Sequence, residues 1–346
     1  MKLPRTFRPK GLGANQESWL LVFISNHCFH LPIGFSVMQS AFNQEREPVS
    51  LDKRSSEGIP EKIVEFGLFA CALVSVLTTF GIVAIIFQVT FQFFQEVSFA
   101  QFFLDTQWTP LFAERHFGIW PLINGTALTT VIAMAVAIPL GLSSAIYLGE
   151  YAKPKVAAIL RPAVELLAGI PTVVYGYFAL LFITPLLRNF IPLEVFNALS
   201  AGLMMGVMIT PTVGSISLDA IRAVPRSLRE GAYALGFTKL ETIFKVVLPA
   251  ALSGISASII LGISRAVGET MTVVIAAGQQ PKITVNLTES IETMTAYMAQ
   301  ISGGDSPRGS VNFKTLYAVG AVLFLSTLLL NILSQWISRR FKEKYE

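Results

Sequence analysis

From Phe66 to Phe91 the chain runs without one charged side chain. About 20 such residues in a helix cross a bilayer, and inside lipid every backbone N–H and C=O must be bonded within the segment. Mostly apolar stretches of similar length recur over about Gly125 to Leu148, Pro162 to Leu187, Val195 to Ser217, Ala250 to Ala277 and Thr315 to Ile337. An all-α polytopic membrane protein with six transmembrane helices is therefore expected. The third and fourth stretches carry Pro171, Pro185 and Pro211. Membrane helices tolerate proline because neighbouring groups satisfy the freed backbone. Composition agrees: 53% of residues are apolar and 14% charged, against about a quarter charged in soluble domains. Mean hydropathy is +0.59. A disordered chain and a small disulfide scaffold are both excluded.

The net charge is +4 and the pI about 9.0. A basic chain suggests nucleic acid or a bias of Lys and Arg toward cytoplasmic loops. Position decides between them. Residues 1–65 hold eight Lys and Arg, residues 149–161 three, residues 218–249 five and the C-terminus four. The opposite side holds Arg115, Arg188, Lys282, Arg308 and Lys314, and Arg265 lies inside the fifth stretch. Twenty against five predicts both termini in the cytoplasm and leaves no need for nucleic acid. Cys28, Cys71, His27, His30 and His116 show no metal-ligand spacing.

Residues 1–62 read as a polar cytoplasmic N-terminal extension, 63–340 as the transmembrane domain with a loop at 222–249, and 341–346 as a cytoplasmic tail. Within the extension, Trp19 to Met38 is moderately apolar after four basic residues, but Asn26, His27, His30 and Pro32 interrupt it. A signal-like segment, a poor seventh span, a translation start at Met38 and a disordered extension all stay open.

The loop 218–249 is long for a connector and is patterned. Pro225 suits a helix start, and Leu228, Ala232 and Leu235 follow at helical spacing. Gly236 breaks the helix as a left-handed cap does. Phe237, Leu240, Ile243, Phe244 and Val247 then share a second face, and Pro249 ends it. Two short helices joined at a glycine are expected, either as a segment on the lipid surface or as a dock for a cytoplasmic partner.

Glu230-Gly231-Ala232, three residues, Gly236, nine residues, Val246, one residue, Leu248-Pro249 resembles the EAA loop of ABC-importer permeases. Gly231 and Val246 replace the family's Ala and Ile. The resemblance implies that Glu230 to Pro249 docks on a cytoplasmic ATP-binding subunit. No Gly-x-x-x-x-Gly-Lys-Ser/Thr loop occurs in the chain, so ATP and Mg are expected on a partner; the chain binds no cofactor and is not itself an enzyme.

Arg265 and Glu269 stand four apart in the fifth stretch. On one helix face they would pair, which lowers the insertion cost of about 2.5–3.5 kcal/mol for each buried charge. Two readings follow: a water-filled path, or a structural salt bridge. Glu165 has two readings as well, as a path residue or as a carboxylate at a helix start. Arg265 to Met271, Glu165 to Tyr177, Ala223 to Glu230 and Trp108 to Phe112 are similar to segments of phosphate-specific permeases, and Gly309-Ser310 with Thr315 to Gly320 is closer to the PstC chains than to the PstA chains. That likeness covers about residues 62–340. It implies a plasma-membrane phosphate permease subunit with Arg265 and Glu269 on its translocation path. It also implies a PstA-like second permease, two ATP-binding subunits and an extracytoplasmic phosphate-binding protein. A permease for sulfate or molybdate, or an ion-driven carrier, are the alternatives.

Two outer loops complete the sequence reading. Residues 92–124 are dense in aromatics, expected as a surface helix in the membrane's interfacial belt. In 279–314, Leu287, Ile291, Met294 and Met298 are spaced for one face of a helix that would meet a binding protein or the second permease.

Overall fold

The computed structural model describes residues 59–304 and 307–340. Expectations for residues 1–58 and 341–346 lie outside the described residues. The chain divides into two units, Met1–Ser75 and Val76–Glu346. Of the first, the described part is the opening of α1 (Ile59–Glu96), where Phe66, Phe69, Val74 and Cys71 are exposed.

Among the described residues of the second unit, the regular structure is helical apart from one isolated bridge between Trp108 and Phe117. After α1 come α2 (Phe99–Leu104) and α3 (Trp120–Ile146), which runs on into a π-helical turn, Tyr147–Tyr151. Next are α4 (Pro154–Ala168), α5 (Thr172–Phe178), a π turn at Ala179–Ile183, α6 (Thr184–Arg188) and α7 (Ala198–Ala223). Then follow α8 (Arg226–Ala234), α9 (Lys239–Thr242), a π turn at Ile243–Val247 and α10 (Leu248–Ala250). The chain closes with α11 (Leu252–Val267), α12 (Met271–Ala276), α13 (Met294–Gly303) and α14 (Val311–Arg340).

Among the described residues, four helices are long and apolar enough to cross a membrane: Lys62–Glu96, Trp120–Tyr151, Ala198–Ala223 and Val311–Ile337. The third and fifth expected spans are bent. Pro154–Ala168 and Thr172–Arg188 meet at 85°, and Lys239–Ala250 meets Leu252–Val267 at 70°. The first bend falls at Gly169-Ile170-Pro171, because proline disfavours the helical region for the residue before it. Counting each bent pair as one span gives six.

The core forms where α3 and α7 pack along their lengths. Gly202 and Gly206 stand four apart on α7; a Cβ would come within 2.6 Å of Ile132 at the first and 2.7 Å of the Ala133 carbonyl at the second. Such small-residue pairs let two backbones approach closely. Met205, Met208 and Ile209 fill the space beside them, and Ala266, Val273 and Ala276 join from α11 and α12. Thr126, Thr129 and Thr130 reside inside this apolar helix because their hydroxyls donate back to the carbonyls of Leu122, Gly125 and Thr126, at 2.8, 3.0 and 2.7 Å.

Both outer-loop expectations need correction. Phe93, Phe102, Trp108 and Phe117 are buried, forming an edge-to-face aromatic cluster that reaches Tyr297 of α13. Phe99, Phe103 and Trp120 of the same loop stay exposed, so its aromatics divide between a core and the surface. In the second loop only Met294 and Met298 lie on a helix, since Thr293 caps α13 by accepting from the Ala296 N–H at 3.1 Å. Leu287 to Ile291 is instead a turn and irregular chain that bonds to 194–199 through Leu199 N–H to Leu287 O and Ala198 N–H to Glu289 O.

Candidate functional site

The loop after α7 folds as the expected helix–glycine–helix elbow. Gly236 sits at φ +84°, a left-handed conformation that side-chain-bearing residues avoid. The Phe237 N–H donates to Ala232 O and the Gly236 N–H to Tyr233 O, the bond pair of a Schellman stop. Thr238 then restarts the helix with a capping box: its hydroxyl accepts from the Glu241 N–H at 3.3 Å, and the Glu241 carboxylate accepts from the Thr238 N–H at 3.0 Å. These bonds, led by the Thr238 N–H, hold the Glu241 carboxyl below its usual range. The Thr238-x-x-Glu241 spacing is the signature of this cap in the sequence.

The elbow has an inner and an outer side. Ala232, Ile243 and Val247 are buried, with Val247 packed among Leu148, Leu218 and Ile221. Leu235, Leu240 and Phe244 are 79%, 59% and 58% exposed. The single apolar face expected for the second helix is thus split: its arc is wide enough for one edge to meet the bundle and the other to stay open. Glu230 and Gly231 are exposed as well, and a Cβ on Gly231 would meet open space. Val246, Leu248 and Pro249 carry the chain back into the bundle through the Ile243–Val247 π turn and α10.

Two contacts fasten the elbow to α3, and sequence reasoning missed both. Arg229 donates from Nε and Nη2 to Glu150 Oε1 at 3.1 and 2.8 Å, and from Nη1 and Nη2 to the carbonyls of Val224 and Ile221 at 2.6 and 2.8 Å. The Glu150 side chain is 8% exposed and that of Arg229 17%. One residue on, the Tyr151 ring lies 4.4 Å from the Lys239 ammonium. Far separation along the chain hid these pairs; the only local signal was an acid at the end of a long apolar helix.

The intramembrane charges sit otherwise than their spacing implies. Arg265 is in the last turn of α11, but Gly268 ends that helix and Glu269 lies beyond it. The two form no ion pair. Arg265 Nη1 donates to Thr212 Oγ1 on α7 at 2.7 Å, and among the described residues its other N–H groups have no protein acceptor. Glu269 is buried and accepts from the N–H and hydroxyl of Thr272, both at 3.1 Å, which fixes the start of α12. Its carbonyl accepts from Thr295 Oγ1 at 2.6 Å, which ties in α13. Glu165 lies in the closing turns of α4, bonded to Arg161 at 2.9 Å, so it is no helix-start carboxylate.

Residues 137–343 match the family described as the binding-protein-dependent transport system inner membrane component. The chain belongs to this permease family. It is 33% identical over 306 residues to the probable ABC transporter permease protein YqgH of Bacillus subtilis, covering 87% of this chain and 99% of that protein. It is 32% identical over 290 residues to the phosphate transport system permease protein PstC of Mesorhizobium japonicum, covering 78% and 87%. The PstC of Xylella fastidiosa is 31% identical over 265 residues, covering 70% and 80%. The fold is similar to that of a chain in the crystal structure of a bacterial alginate ABC transporter bound to its periplasmic protein, with a TM-score of 0.57 at 15% identity over 83% of this chain and 99% of that one. This permease is therefore a membrane-spanning subunit of an ABC importer, and the elbow lies within the matched residues.

Proposed function

We propose that this permease is the PstC-type subunit of an ATP-driven importer of inorganic phosphate in the plasma membrane. The observation that carries the substrate is Arg265: a half-buried guanidinium between α7 and α11 with most of its donors unused. Such a fork suits a tetrahedral oxyanion. The PstC relatives support the same reading. The contact with Arg265 is transient, since an ion bound tightly would not leave. Glu269 belongs to the same path and shapes it through the bonds that set α12 and α13.

Residues 63–340 make six spans with both termini cytoplasmic, flanked by the extension 1–62 and the tail 341–346; the bias of basic residues supports this topology. The partners are a PstA-like permease, two ATP-binding subunits that carry ATP and Mg, and a phosphate-binding protein outside. Glu230, Gly231, Leu235, Leu240 and Phe244 face the ATP-binding subunit. Its closure displaces the elbow and turns the path from outward- to inward-facing.

The test is uptake of labelled phosphate at low micromolar concentration by the complete complex, with excess sulfate or molybdate as competitor. Uptake should resist both, vanish with a hydrolysis-dead ATPase, and fall at least about tenfold in Arg265→Gln at unchanged assembly. Uptake blocked by either competitor overturns phosphate as substrate.

A further inference from the structure

The two arms of the elbow, α8 and α9, join through Gly236, a residue whose conformation is set by its own left-handed φ. Both arms are also held from outside, by consecutive residues of one π turn. Glu150 takes Arg229 of α8, and Tyr151 takes Lys239 of α9. We infer that Glu150 and Tyr151 form a clamp that makes the elbow and the end of α3 one rigid body, so that a displacement imposed on the elbow is delivered to α3. The inference rests on the elbow being the ATPase dock, and it goes further by naming the residues that carry the movement inward.

Packing alone does not do this work. The apolar cluster beneath the elbow, with Leu148, Leu218, Ile221 and Val247, is adhesive but non-directional. Surfaces of that kind slide. The Arg229 fork is directional: it is bonded at once to a carboxylate of α3 and to two carbonyls at the end of α7. The Ile221 carbonyl otherwise accepts the capping Val224 N–H at 3.3 Å, so the guanidinium adds to the close of α7 while gripping the turn that ends α3. Burial of both partners keeps water from competing. The Tyr151 contact is more exposed and weaker; it trims the angle of α9 while Glu150 carries the load. These are positioning residues, and neither touches the transported ion.

The experiment uses the complete complex in vesicles, with Cys28 and Cys71 replaced by serine and spin labels at Leu140→Cys and at Ser227→Cys, which is exposed on α8 and outside the proposed docking residues. In the parent the label-to-label distance should be the same before and after trapping with ATP and vanadate. In Glu150→Gln it should change and broaden on trapping, and phosphate imported per ATP hydrolysed should fall about tenfold. Tyr151→Leu should broaden the distance while Tyr151→Phe, which keeps the ring face, should not. An unchanged distance in Glu150→Gln overturns the clamp. If Glu150→Gln does not assemble, identical behaviour of the two Tyr151 variants overturns it instead. A parent complex that hydrolyses ATP but imports no phosphate refutes the substrate reading, while the label distances still decide the clamp.

Discussion

Glu292 shows how a single residue sets a condition on the whole chain. It lies in the irregular segment before α13, 3% exposed, with one carboxyl oxygen lacking any hydrogen-bond partner. Burial pushes its carboxyl up to about 8. The folded state therefore keeps a proton that the unfolded chain releases above its ordinary carboxyl range. Stability falls as pH rises from about 4.5 to 8, by on the order of 3 kcal/mol at pH 7. Glu292→Gln should flatten this slope: its melting temperature should exceed the parent's at pH 8, and the gap should close by pH 5. Thermal unfolding of the purified protein across that range checks it, and parallel slopes would sink the idea. At this scale the sequence was partly legible. It marked Arg265 and Glu269 as charges in an apolar setting, but it placed them on one helix face. The period of 3.6 holds only inside a helix, and Gly268 ends α11 between them. Glu150 and Arg229 were unreadable because their pairing is tertiary.

The elbow is the element that sequence reasoning read best, and the reason is locality. A left-handed glycine, a capping sequence and a proline act over a few residues, so their spacing survives in the string. Its two glycines make a controlled comparison. Gly231 is within α8 and faces open space, so Gly231→Ala should be neutral or stabilise by about 0.5–1 kcal/mol. Gly236 is at φ +84°, so Gly236→Ala should cost about 1–2 kcal/mol and lower ATPase-coupled transport as well. Melting temperatures of the two variants should move in opposite directions or at least differ clearly; equal shifts would mean that the Schellman stop does not govern the elbow. The aromatic loop failed for the opposite reason. Phe93, Phe102, Trp108 and Phe117 are as compatible with a lipid boundary as with a core, and only the contact with Tyr297 decides.

At the scale of the whole molecule, the expected six spans become four plain helices and two bent pairs. Hydropathy registers length and polarity but not direction, so an 85° turn inside an apolar stretch leaves no trace beyond its Gly and Pro. The proposed topology puts the elbow and the irregular segment before α13 on opposite faces of the membrane. A cysteine at Leu235 should react with an impermeant maleimide only from the cytoplasmic side, and one at Val285, which is 88% exposed, only from outside. Labelling of both from one side would overturn the six-span arrangement.

The three π turns bear on how such a chain changes over generations. A π turn holds one residue more than the α-helical turn it replaces, and its flanks stay in register across the bulge. It is therefore a place where a codon can be lost without rotating everything downstream by about 100°. Removing the exposed Leu181 from the Ala179–Ile183 turn should leave a protein that still assembles, whereas removing Met205 from the core of α7 should not. Insertions and deletions among related permeases should then gather at these joints.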